Sequence, residues 1–216
     1  MRKIHSYESD ELIVNYDVQR CIHAKECVHG QPDVFDPRKR PWIQPGEAAD
    51  PVELVRVIER CPTGALHYEW KQEGTPEQPP ATNTVRVAAN GPLYLSGRLQ
   101  ITLSGSEVLR DTRVALCRCG QSKDKPFCDN SHVEAGFADS GEITQGRLKP
   151  GDPEPGGTLE IALAVNGPLL LRGPAEVQTP GGTVVSGVSG ALCRCGESAA
   201  KPFCDGAHKT CGFQAD

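Results

Sequence analysis

One 23-residue block occurs twice, 76 residues apart, and it sets what the chain can become. Residues 115–137 read ALCRCGQSKDKPFCDNSHVEAGF and residues 191–213 read ALCRCGESAAKPFCDGAHKTCGF, with 15 of the 23 positions identical. Each copy carries the spacing C-x-C-x8-C-x3-H: Cys117, Cys119, Cys128 and His132, then Cys193, Cys195, Cys204 and His208. Three thiols and one imidazole within sixteen residues make a four-donor set, and two such sets in register mean a duplicated folding unit.

The duplication extends upstream. Segment 85–95, VRVAANGPLYL, matches 161–171, IALAVNGPLLL, at the same offset. Both place apolar runs on either side of Asn-Gly-Pro, the signature of a short hairpin. The repeats are thus expected at 83–140 and 159–216. Residues 141–158, rich in Gly and Pro, read as a linker or long surface loop. The stretch from Gln72 to Asn83, QEGTPEQPPATN, reads as a second linker and sets off an N-terminal domain over 1–72. There, Leu12–Tyr16 and Leu66–Trp70 are expected strands. Asp50-Pro51 is a strong helix start, with Asp as cap and Pro in the first turn. That helix should run to about Arg60 and turn Val52, Val55 and Ile58 inward. With 23 Gly, 18 Pro and 5% aromatic residues, all the cores should be thin.

Spacing alone leaves the metal open. Cys3His is a common structural zinc set, but zinc ligands usually arrive in wider knuckles than C-x-C. A one-residue gap suits two ligands on one iron of a two-iron cluster. The remaining motif positions decide. Ser122, Pro126, Asp129, Asn130 and Ser131 in the first copy, and Ser198, Pro202, Asp205, Gly206 and Ala207 in the second, resemble the CDGSH iron–sulfur domain of the mitoNEET type. The pentapeptide departs from that pattern as CDNSH and CDGAH, and neither change touches a donor; Asn tolerates the left-handed backbone that Gly takes readily.

The resemblance implies a [2Fe–2S] cluster in each copy, with Cys117 and Cys119 on one iron and Cys128 and His132 on the other. Cys193, Cys195, Cys204 and His208 would repeat this. It also implies an α+β fold in which a β-cap covers a short helix, and an internal pseudo-dimer that makes the chain a monomer. Asp129 and Asp205 read as helix-start caps and as groups orienting the donors. Lys125 and Lys201 read as solvated side chains, and Cys211, which aligns with Ala135, as a free or packed thiol.

Cys21, Cys27 and Cys61 remain as donors in the N-terminal part. With Cys61-Pro62 downstream, CIHAKEC keeps the outer positions of a bacterial ferredoxin loop and puts Ala24 at the middle one. Together with PDVFD at 32–36, RPWI at 40–43 and CPTGAL at 61–66, residues 11–71 resemble the divergent mono-cluster ferredoxin domain. The resemblance implies [3Fe–4S], or [4Fe–4S] with His23, His29 or water as the fourth ligand.

Other classes are set aside. The net charge of −5 shows no basic stripe for nucleic acid. No apolar run is long enough for a membrane helix, and the N-terminus lacks a secretory h-region. No nucleotide loop or nucleophile elbow occurs, so the chain is not expected to be an enzyme. Cysteine spacing of the metal type points to a reducing cytoplasm. The function implied is electron transfer with a redox partner protein. The alternative is a cluster carrier serving an apo-protein acceptor, or a redox or pH sensor.

Overall fold

The computed structural model describes residues 3–152 and 156–215, which divide into two compact units, Met1–Gln78 and Pro79–Asp216. The architecture is α+β. Among the described residues no helix is long and apolar enough to cross a membrane.

The first unit is a three-stranded antiparallel sheet, β1 (Ile4–Glu8), β2 (Leu12–Asp17) and β3 (Leu66–Trp70), in spatial order β1-β2-β3. Strict alternation in β2 sends Leu12, Val14 and Tyr16 inward. Helix α1 (Glu26–Gly30) is a single turn, and α2 (Pro51–Glu59) supplies most of the remaining core. The Asp50 carboxylate caps α2 by accepting from Val52 N–H at 2.8 Å. The buried stripe of α2 is Leu54, Val55, Val57 and Ile58, while Val52 is 48% exposed. The inward face begins two residues later than the expected Val52, because the i, i+4 pair Leu54 and Ile58 sets it. Trp42 closes the core with its ring edge-on to Tyr16, centroids 5.0 Å apart.

In the second unit each repeat contributes a hairpin and a third strand. These are β4 (Thr84–Val87), β5 (Leu93–Leu103) and β6 (Ser106–Leu116), then β7 (Leu159–Leu163), β8 (Leu169–Gln178) and β9 (Val184–Leu192). The expected hairpins form as β4–β5 and β7–β8. Asn90 and Asn166 take positive φ in their turns. Strand β5 is twice as long as β4 needs. Its first half pairs with β4, and beyond an irregularity at Ser96/Leu99 its second half runs parallel to β7 of the other repeat. Strand β8 does the same toward β4 after Arg172/Ala175. Strands β4, β5, β7 and β8 therefore close into a four-stranded barrel, with β6 on β5 and β9 on β8.

The exchange gives the two repeats one core. Val85, Leu95, Ile101 and Leu116 pack in one cluster with Ile161, Leu171, Val177 and Leu192. Leu148 belongs to the same cluster at 2% exposure, and Lys149 bridges to Ser189 of β9, so part of 141–158 packs on the barrel. Burying a leucine of this kind stabilises by about 1.5–3 kcal/mol. The barrel's ends, β6 and β9, deliver the chain directly to the two C-x-C segments.

Candidate functional site

Each donor segment is a closed loop hung from the end of a strand. In the first repeat Cys117 N–H donates to Pro126 O at 2.9 Å and Cys128 N–H to Ala115 O at 3.0 Å, so residues 117–128 return to the end of β6. Cys193 N–H to Pro202 O at 2.8 Å and Cys204 N–H to Ala191 O at 2.9 Å repeat this at the end of β9. Ser122 Oγ donates to Phe127 O at 2.6 Å, and Ser198 Oγ to Phe203 O at 2.7 Å. Both serines are buried, so the motif serines tie the loop together.

The motif aspartates stand one residue before the N-caps, Asn130 and Gly206, so rather than capping they close Asx-turns that brace the loop. Asp129 accepts from Ser131 N–H at 3.0 Å and from Lys123 N–H at 2.8 Å. Asp205 accepts from Ala207 N–H at 2.9 Å and Ala199 N–H at 2.8 Å. They precede α3 (Ser131–Glu134) in one repeat and a single 3-10 turn, Ala207–Lys209, in the other. Asn130 takes φ 70 and Gly206 φ 97, so asparagine does fill the left-handed position. Lys125 and Lys201 are not simply solvated, since each ammonium donates to the Ser122 or Ser198 carbonyl.

The loops bring the donors together two by two. Cys117 and Cys119 sulfurs lie 3.6 Å apart, and Cys128 Sγ lies 3.5 Å from His132 Nδ1. The second repeat gives 3.7 Å for Cys193 and Cys195 and 3.3 Å for Cys204 and His208. The hydrogen bond between the Cys117 and Cys119 sulfurs brings Cys117 down to about 6 and drives Cys119 well up. Burial pushes Cys128 up to about 11 and Cys195 up to about 12, raises Cys204, and lowers His132. Cys211 is exposed, as a free thiol should be.

Two buried arginines, missed in the sequence, lie between the cysteine pairs. Arg118 and Arg194 are each 1% exposed. Arg118 donates to Gly91 O and Ala88 O, pairs with Asp139, and lies over the Phe137 ring at 5.0 Å. Arg194 donates to Ala164 O and Ala215 O and lies over Phe213. Their identity in both copies of C-R-C was the available signal. Asp139 had none, because its counterpart is Ala215.

In the first unit Cys21, Cys27 and Cys61 are half-buried and line one cavity of about 720 Å³. His23, Ala24 and His29 line it too, so the gap left by alanine in the ferredoxin-like loop faces the cavity. Burial pushes Cys27 up to about 11. Away from this cavity's lining residues, His67 on β3 pairs with Glu77 at 2.8 Å.

Known proteins share both parts. The family described as a divergent 4Fe-4S mono-cluster matches residues 7–71, and the family described as an iron-binding zinc finger of CDGSH type matches 90–133 and 166–209. An uncharacterized protein of Escherichia coli K12, YjdI, is 37% identical over 65 residues, which cover 30% of this chain and 84% of that protein. Its counterpart in Escherichia coli O157:H7 matches equally. The chain therefore has the tandem CDGSH architecture, a divergent ferredoxin-like domain followed by two CDGSH-type domains. No solved structure matches. Both matched descriptions are of metal- or cluster-binding modules.

The cofactor expectation requires correction. Among the described residues no group of three or more His, Cys, Asp or Glu side chains is placed to hold a metal ion. The two [2Fe–2S] clusters and the [3Fe–4S] or [4Fe–4S] cluster implied by resemblance are overturned by that finding. Electron transfer, cluster carriage and redox or pH sensing fall with them. The physical reason is geometric. Each CDGSH loop forms a thiol pair and a thiol–imidazole pair, and the three N-terminal thiols line one cavity. The donor residues therefore do not fit these clusters as arranged.

Proposed function

We propose that this chain is a non-enzymatic iron-binding protein whose donors are the paired side chains of its two CDGSH loops: Cys117 with Cys119, Cys128 with His132, Cys193 with Cys195, and Cys204 with His208. The observation that carries the proposal is the agreement of the two copies. Matching pairs recur at 3.6 and 3.7 Å and at 3.5 and 3.3 Å in the two related copies. The description of the matched family as iron-binding supports the same metal. Cys21, Cys27 and Cys61, which line one cavity rather than standing as the close pairs of the CDGSH loops, are further candidate donors in the ferredoxin-like part. The functional parts would be residues 1–72 and two repeats, 83–140 and 159–216, in a monomer whose internal two-fold replaces a dimer. Ten free thiols accord with a reducing cytoplasm.

The test is anaerobic equilibration with ferrous iron, desalting, and metal analysis of the wild type and of variants with each donor pair changed to serine or alanine. Iron retained by the wild type and reduced stepwise by the pair variants supports the proposal. Iron not retained, or retained equally by every variant, overturns it.

A further inference from the structure

The two C-x-C segments meet back to back. Gly120 follows Cys119 at φ +77, and a Cβ there would stand 2.4 Å from the carbonyl oxygen of Cys195 in the other repeat. Gly196 follows Cys195 at φ +89, and a Cβ there would stand 2.6 Å from the carbonyl oxygen of Cys119. The contact is reciprocal, and on both sides the obstacle is backbone, so it cannot rotate away. Nor is either loop free to retreat. Arg118 anchors its loop to Gly91 O and Ala88 O, and Arg194 anchors the other to Ala164 O and Ala215 O. Lys201 of the second loop also reaches Asp139 of the first repeat at 4.0 Å, so charge as well as packing crosses the junction.

We infer that Gly120 and Gly196 are positioning residues that lock the two cysteine loops against each other, so that the two donor sets respond as one coupled unit. A displacement of either loop is passed to the other through the peptide of Cys119 or Cys195. This coupling does not depend on iron, and it goes beyond the assignment of the donors.

The test is alkylation of the native full-length protein with N-ethylmaleimide, read cysteine by cysteine by mass spectrometry. Gly120→Ala should speed alkylation of Cys193 and Cys195, in the opposite repeat, by about tenfold or more through local strain and opening. Gly196→Ala should do the same to Cys117 and Cys119. Gly136→Ala is the control, because Gly136 also has positive φ but nothing within 4 Å of a Cβ. Unchanged rates in the opposite repeat, or a rise no greater than in Gly136→Ala, would overturn the inference. If Gly120→Ala does not accumulate as a folded chain, sparse labelling of the wild type decides. Coupling requires chains modified at both Cys119 and Cys195, with Cys128 intact, in excess of the product of the single probabilities. Labelling at that product would refute it.

Discussion

Replacing Asp129 by alanine removes two bonds at once, from Ser131 N–H at 3.0 Å and from Lys123 N–H at 2.8 Å. The first closes an Asx-turn leading into α3 and contributes about 1 kcal/mol. The second joins a charged acceptor to an exposed backbone donor that water can reach after the change, so it contributes roughly 1 kcal/mol. Asp129→Ala should therefore destabilise the CDGSH unit by about 2 kcal/mol, a fall of about 4–8 °C for a unit of this size. Asp129→Asn keeps one acceptor oxygen and should lose about half as much. Burial tends to raise the Asp129 carboxyl, but the hydrogen bonds from Lys123 and Ser131 outweigh it and hold the group below the usual carboxylate range. The folded-state value is depressed, so this stabilisation is present above the unfolded value of about 3.9. It fades as pH falls through the folded value. Thermal melts of wild type and Asp129→Ala at neutral pH, then at progressively lower pH, measure this. A neutral-pH difference under about 0.5 kcal/mol, the scale of an ordinary surface change, would refute the reasoning. So would a difference that persists undiminished in acid.

Arg118→Leu leaves Asp139 half-buried without its guanidinium, removes the Arg118 donor from the Gly91 carbonyl and leaves the Ala88 carbonyl with Gly91 N–H, and should cost about 3–5 kcal/mol in a chemical unfolding curve. Asp139→Ala should cost less, because Arg194 already rests on the Ala215 carbonyl where Arg118 has the carboxylate. Leu148→Ala should destabilise by about 2–5 kcal/mol, as a core leucine does and a surface-loop leucine does not; calorimetry would show it. Cys211→Ser should leave stability within about 0.5 kcal/mol and iron retention unchanged, since the thiol is exposed.

The local structure of this chain is written in short-range signals. Alternation in β2, the Asp50-Pro51 cap of α2 and the Asn-Gly-Pro turns of both hairpins each depend on a few neighbouring residues, and each is found where those residues place it. Strand pairing between the repeats is different. The second half of β5 has the same apolar alternation as the first, and periodicity does not say that its partner is β7 rather than β4. Buried charge is equally silent. An arginine between two cysteines reads as a surface residue until the Ala88 and Gly91 carbonyls surround it. The donor residues are legible from spacing, yet spacing counts residues and not angles. It groups Cys117 with Cys119 and Cys128 with His132, and does not tell that, among the described residues, no three such donors are placed to hold a metal ion. The carry-over of clusters from the family pattern failed at that step.

Iron K-edge X-ray absorption on the wild-type protein, loaded anaerobically and desalted, tests the central claim most directly. Iron binding through the CDGSH pairs predicts a first shell of sulfur and nitrogen, with the nitrogen contribution lost in the variant carrying His132→Ala and His208→Ala. A first shell of oxygen alone, or a sulfur and nitrogen shell that the double variant leaves unchanged, would contradict it.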